Sequence, residues 1–145
     1  MTESLRGNFP LTKKAVIEPK TDTETTSKNL ALTIAEAGYE RKAGEIILLN
    51  LANISYLSDY FVIMTGYSKV QVRAIADAVE GQVEIEWQRR PRTTEGKAEG
   101  TWILQDYGDV IVHIMMPRER EFYNLEAFWG HAERIFMPNS DDVGG

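Results

Sequence analysis

The sequence predicts a mixed α/β domain, a sheet of about five strands with flanking helices. Three observations predict it. Apolar residues recur at helical spacing in two stretches, at Leu30, Ile34 and Ala37 and again at Val72, Ile75, Ala76, Val79 and Val83. Between and after them lie short apolar runs, Ile46-Ile47-Leu48-Leu49 and Phe61-Val62-Ile63-Met64, of the length and composition of covered strands. A strong hairpin signal follows, two β-rich runs flanking Asp106-Tyr107-Gly108-Asp109. Helices alternating with strands make a layered α/β structure.

Each element has its own warrant. Ser27 is a residue type that caps helices, so the first helix is expected to open there. Glu45–Leu51 and Tyr60–Thr65 are the first two strands, the second ending at Gly66 where backbone freedom is useful. Ser68 and Gln71 have capping-box spacing, and the helix they open buries the Val72-to-Val83 stripe. Arg89–Thr94 contains Pro91 and reads as a loop or a short edge strand. Trp102–Asp106 and Val110–Met115 form the hairpin. Along them Trp102, Leu104 and Asp106 alternate with Ile103 and Gln105, and Val110, Val112 and Ile114 alternate with Ile111, His113 and Met115. Both hairpin faces are largely apolar, so a second cover is implied, either more of this chain or a partner. Pro117 suits the first turn of a last helix, expected to align Phe122, Leu125, Trp129 and Ala132 on one stripe.

The flanks differ in composition. Residues 1–26, with Pro10, Pro19 and a polar threonine-rich run, are expected to be a disordered tail. Residues 27–137 form the domain, and residues 138–145 a second disordered tail.

Composition excludes several function classes. The chain has 145 residues, 43% of them apolar and 26% charged, an ordinary globular mixture. It has no cysteine, which removes disulfide scaffolds, thiolate metal sites and cysteine nucleophiles. Sixteen basic residues against 22 acidic ones give a net charge of −6, a poor footprint for nucleic acid and a better one for a basic partner. No apolar stretch is long enough to span a membrane, and the acidic N-terminal residues argue against a transit peptide. A soluble cytoplasmic protein is expected.

Catalytic constellations are missing. The two histidines, His113 and His131, have no serine at elbow spacing and no partner at zinc-site spacing, so neither a nucleophile nor a metal is expected. Thr65-Gly66-Tyr67-Ser68 resembles the Gly-Ser turn of nucleotidyltransferases. Those enzymes follow it with two acids alternating on one strand, which hold magnesium. Here Asp77 and Glu80 lie three apart on a helix, Asp106 and Asp109 flank a turn, and Glu84 and Glu86 close a helical segment. Arg89, Arg90 and Arg92 form the densest basic patch, with only Trp87 near it to stack a base. Phe122, Tyr123, Phe128 and Trp129 cannot all share one helical stripe, so some are expected at an interface.

Several ordered blocks resemble the ribosomal silencing factor family, also called Iojap-like. They are Leu57–Ser68, Gln71-Val72, Ala74–Asp77, Glu95-Gly96, Trp102-Ile103-Leu104, Asp106–His113, Arg120, Phe122–Glu126 and Trp129, spread over residues 29–135. The resemblance implies an α/β fold related to nucleotidyltransferases but without catalysis or cofactor. It implies binding to the large ribosomal subunit through its L-fourteen-class protein, which blocks joining of the small subunit and represses translation when nutrients are short. It also admits a homodimer. Carried over by position, the partner-contacting residues are Trp102, Asp106, Asp109, His113, Tyr123 and Glu126, with Trp102 as apolar anchor and the acids meeting basic side chains. Each has a structural alternative: Trp102 as core, the two aspartates as turn-formers, His113 as an inter-strand side chain. A nucleotide-binding enzyme and a direct ribosomal-RNA-binding assembly factor are the competing readings.

Overall fold

The computed structural model describes residues 19–137. The elements are α1 (Pro19–Glu40), β1 (Gly44–Asn50), β2 (Tyr60–Thr65), α2 (Lys69–Trp87), β3 (Thr93–Glu95), β4 (Trp102–Asp106), β5 (Val110–Met115), α3 (Pro117–Tyr123), α4 (Leu125–Phe128) and β6 (Glu133–Phe136). They build one six-stranded sheet in the order β3-β4-β5-β2-β1-β6. Strands β2 and β5 run parallel, and the other neighbours are antiparallel.

Helices α1 and α2 cover one face. Into the core beneath them point Ile46 and Leu48 of β1, Tyr60, Val62 and Met64 of β2, Ile103 of β4, and Val110, Val112 and Ile114 of β5. Leu30, Ile34, Val72, Ile75, Val79 and Val83 meet them from the helices, all fully buried. Each such side chain contributes about 2 kcal/mol by leaving water. The residues between them on the strands, Ile47, Leu49, Phe61, Ile63 and Met115, form a second cluster on the opposite face. The period-2 alternation of the sequence therefore sorts correctly onto two faces.

The two helices are tied together by polar contacts. Ser68 caps α2 by accepting from the Gln71 amide at 3.0 Å. The reciprocal bond of the capping box lands one residue earlier than expected, on the Tyr67 amide, which donates to Gln71 Oε1 at 2.7 Å. The Gln71 amide group then donates to the carbonyls of Arg41 and Lys42, both at 3.1 Å, fixing the start of α2 against the end of α1. At the other end the Trp87 indole donates to the Thr33 hydroxyl at 3.1 Å.

Three expectations need correction, and one open alternative is resolved. Helix α1 begins at Pro19, not Ser27, so residues 19–26 belong to a helix rather than to a tail. Proline is at home in a first helical turn, and Ser27 sits inside the helix, buried, with its hydroxyl donating to Asp59 Oδ2 at 2.8 Å. The rest of the predicted tails, residues 1–18 and 138–145, lie outside the described residues. Of the two readings of segment 89–94, loop or short edge strand, the second holds from Thr93 onward, where β3 pairs with β4 at the edge of the sheet. Finally, the last helix is broken. Asn124 adopts a left-handed conformation (φ 46°), ends α3 by donating its amide to the Arg120 carbonyl, and starts α4 by accepting from the Ala127 amide. Asparagine tolerates that conformation better than most residues. Phe122 is consequently exposed, off the predicted stripe, and the chain beyond α4 turns back as the sixth strand, pairing with β1.

Candidate functional site

The second face of the sheet carries a continuous train of rings. Trp102 on β4 and His113 on β5 lie 5.9 Å apart between centroids, and His113 and Phe61 on β2 lie 4.6 Å apart. Phe61 meets the edge of Trp129 at 6.1 Å, and Trp129 meets Phe128 at 5.0 Å. At the other end Trp102 packs on Tyr123 at 4.7 Å, and Tyr123 on Phe122 at 4.9 Å. Such separations suit offset and edge-to-face pairs. The middle of the train is buried and both ends reach solvent: Phe122 is 79% exposed, Tyr123 51% and Phe128 76%.

A second cover for this face was expected, and the chain supplies only part of it. Leu125 and Trp129 pack against the cluster that contains Leu49, Phe61 and Met115, with the Trp129 ring against Phe61. Toward β4 the cover stops, leaving Trp102, Leu104 and Ile111 half-buried. A groove of about 520 Å³ opens there, lined by Trp102, Phe122 and Tyr123 with Glu99, Arg118 and Glu119 on its rim.

Two devices hold the face in shape. The first is the Trp102–His113 hydrogen bond, in which the indole N–H donates to Nδ1 at 3.2 Å. That bond leaves the ring proton on Nε2, which is buried with no hydrogen-bond partner among the described residues. Burial lowers the His113 pKa from 6.5 to about 4, because a charged imidazole would lack water. The sign follows: the unfolded chain takes up a proton below pH 6.5 that the folded chain refuses until about pH 4. His113 should therefore cost the fold stability as pH falls through that window, by roughly 3 kcal/mol at its lower end. Urea denaturation of wild type and His113→Leu between pH 7 and 4 should show the wild-type acid slope flattened in the variant; parallel slopes would contradict the assignment.

The second device is Arg120, a buried guanidinium. Its Nε and Nη2 donate to Glu126 Oε2 at 3.1 and 2.7 Å, and its Nη1 donates to the Thr65 hydroxyl at 2.9 Å. It pins α3 and α4 to each other and to the end of β2. The Arg134 side chain adds a bond to the Glu126 carbonyl at 2.7 Å.

The six residues expected at a contact surface thus divide. Trp102, His113 and Tyr123 meet in one ring cluster. Glu126 adjoins it through Arg120, with its carboxylate committed to that partner. Asp106 and Asp109 sit at the far end of the hairpin, roughly 13 Å along the strand from Trp102. Asp106 accepts from the Gly108 amide at 2.7 Å and shapes the turn, in which Gly108 takes φ +92°. Asp109 accepts from Arg89 at 2.8 Å, and its carbonyl accepts from the amides of Asp59 and Tyr60 and from the Ser58 hydroxyl. That hydrogen bond to Asp109 raises the Arg89 pKa above its ordinary value, against the lowering effect of burial. Asp109→Ala should lower stability by about 2 kcal/mol on a denaturation curve.

The basic patch is spent internally. Arg89 pairs with Asp109 at 2.8 Å, Arg90 with Glu84 at 3.0 Å and Arg92 with Asp106 at 3.6 Å. Among the described residues no group of three or more His, Asp or Glu could hold a metal ion, and no helix is long and apolar enough to cross a membrane. The sequence missed Arg120 and Thr65 as a pair. They lie 55 residues apart, and nothing in either segment announces the other.

Comparison with known proteins points one way. The family described as "Ribosomal silencing factor during starvation" matches residues 24–144. Ribosomal silencing factor RsfS of Bacillus subtilis is 39% identical over 105 residues, covering 72% of this chain and 88% of the relative. The chloroplastic protein Iojap of Zea mays is 35% identical over 123 residues, 84% of this chain, which spans only about half (52%) of that relative's length. Among solved structures, a protein of Chromobacterium violaceum superposes with a TM-score of 0.67 at 31% identity, over 82% of this chain and 97% of the other.

Proposed function

The chain belongs to the ribosomal silencing factor family, and on that premise we propose that it binds the large ribosomal subunit through its L-fourteen-class protein and keeps the small subunit from joining. One observation supports this reading above the rest: the half-covered aromatic face, with Trp102 between the His113 ring and Tyr123 over a groove rimmed by Glu99, Arg118 and Glu119. Interface energy concentrates in partly buried aromatic anchors that a partner finishes desolvating. The rim carries two acids and one base, and the chain as a whole has a net charge of −6, which suits a basic ribosomal surface and speeds encounter.

The roles follow from the contacts. Trp102 and Tyr123 are the contact residues, with Phe122 beside them. His113 orients Trp102, and Glu126 acts by fixing Arg120 and hence α3. Asp106 and Asp109 keep the hairpin in register at a distance from the groove. Silencing is steric occlusion and needs no cofactor or bond-breaking step. A homodimer formed over the exposed phenylalanines would compete with the ribosome for the same face. In a bacterium the compartment is the cytoplasm, where the ribosomes are.

The test is subunit joining. Purified large and small subunits are mixed with increasing amounts of the protein and resolved on a sucrose gradient. The joined-ribosome peak should fall as the protein appears with the large subunit. An unchanged joined peak, with the protein left at the top of the gradient, would overturn the reading.

A further inference from the structure

A second cavity, of about 520 Å³, lies at the edge of the sheet between the end of α1, the start of β1, the end of β6 and the α3–α4 corner. It is not part of the aromatic groove. Cavities of this size hold small organic molecules. Its walls combine aromatic and aliphatic side chains, Tyr39, Phe136, Ile46 and Met137, with four charged ones, Glu45, Arg120, Glu126 and Arg134.

The charges are not all spent. Arg120, nine-tenths buried, uses three of its donors on Glu126 and Thr65, and a guanidinium has five. Arg134 uses one donor, on the Glu126 carbonyl. The Glu126 carboxylate is taken by Arg120. The Glu45 carboxylate has no hydrogen bond or ion pair among the described residues. The cavity therefore offers one open carboxylate and free guanidinium donors across an apolar floor.

The backbone at Glu45 is strained in a way that sets its side chain. Glu45 takes φ +48°, unusual for any residue but glycine. It lies in a break of the β1–β2 register between Gly44 and Ile47. The Tyr67 ring lies over Gly44, and an added Cβ there would have to push its hydroxyl end aside. Bulges re-aim side chains, and strain of this kind gathers at binding sites. On β6, Arg134 and Phe136 are two apart and share a face, which places a cation beside an aromatic wall.

We propose that this cavity binds a guanine nucleotide. Guanine presents two adjacent N–H donors on one edge, which a carboxylate accepts side by side. Adenine has no such pair. Tyr39 and Phe136 supply ring faces for the base, and Arg134, backed by the spare donors of Arg120, receives the phosphate. The two ends of the ligand are met differently: the base edge donates hydrogen bonds to the carboxylate, and the phosphate pairs its charge with the guanidinium.

The experiment is calorimetric titration of the full chain, without ribosomes, with GMP, AMP, guanosine and inorganic phosphate in turn. GMP should bind at least about tenfold tighter than each of the other three, one good charged hydrogen bond being enough for that ratio. Glu45→Gln should abolish the preference over AMP. Arg134→Gln should weaken GMP about tenfold and leave guanosine unchanged. Both residues are exposed, so both variants should fold, and circular dichroism checks it. Absence of GMP binding, equal binding of phosphate alone, or an unchanged GMP preference in Glu45→Gln would each overturn the proposal. None of these results bears on the aromatic groove, because no ribosome is present.

Discussion

Arg120→Ala is expected to destabilise the protein by about 3 kcal/mol, read from the urea midpoint. The guanidinium is 9% exposed and its partner carboxylate 20%. Removing the cation leaves Glu126 partly buried without a counter-charge and leaves the Thr65 hydroxyl without its donor. Truncating one member of a buried pair costs far more than replacing both, because the survivor keeps its desolvation penalty. The double variant Arg120→Met, Glu126→Gln should therefore recover part of the loss. The damage should also reach the proposed partner-binding face. Arg120 is the contact that seats α3, and α3 carries Tyr123 onto Trp102. A single variant within 1 kcal/mol of wild type would show that the apolar contacts of Leu125 and Trp129 hold the corner unaided.

Trp102→Ala is expected to weaken large-subunit binding by roughly thirtyfold to several hundredfold, the 2–4 kcal/mol typical of a central aromatic anchor. Its stability cost should be smaller, roughly 2 kcal/mol, since the ring is only half-buried but its loss leaves His113 Nδ1 without a donor. The chain should stay folded at 25 °C. Trp102→Phe separates the parts of the role: it keeps a ring against Tyr123 and loses only the hydrogen bond to His113. Its binding should lie between wild type and the alanine variant. Equal losses from both variants would make the indole hydrogen bond, rather than the ring's area, the contact that matters.

Much of the fold was legible because it rests on local patterns. The α2 stripe from Val72 to Val83, the alternation on β4 and β5, and the turn at Gly108 each follow from a period or a single residue's backbone preference. Three things were not legible. The start of α1 was misread because the polar run from Thr21 to Thr26 has no apolar period and low helix propensity. The break at Asn124 was missed because Phe122, Leu125, Trp129 and Ala132 fit a helical period that one left-handed residue cancels. Strand β6 was missed because an exposed four-residue edge strand, Glu133–Phe136, gets its definition from β1 rather than from its own sequence. For the site, the aromatics stood out by type, and the fold brings Trp102 and Tyr123 together over one groove. The two aspartates were visible only as acids. Their partners, Gly108 for one and Arg89 for the other, became apparent only when the hairpin end and the loop after α2 came together.

The central claim is that the Trp102 face binds the large subunit. The most direct measurement is co-sedimentation of wild type, Trp102→Ala and Asp109→Ala with purified large subunits at moderate salt, beside a denaturation curve for each. The account predicts that Trp102→Ala stays in the supernatant while still folded, and that Asp109→Ala pellets with the subunit like wild type despite its lower stability. Full binding by folded Trp102→Ala, with binding lost in folded Asp109→Ala, would contradict it and move the contact surface to the other end of the hairpin.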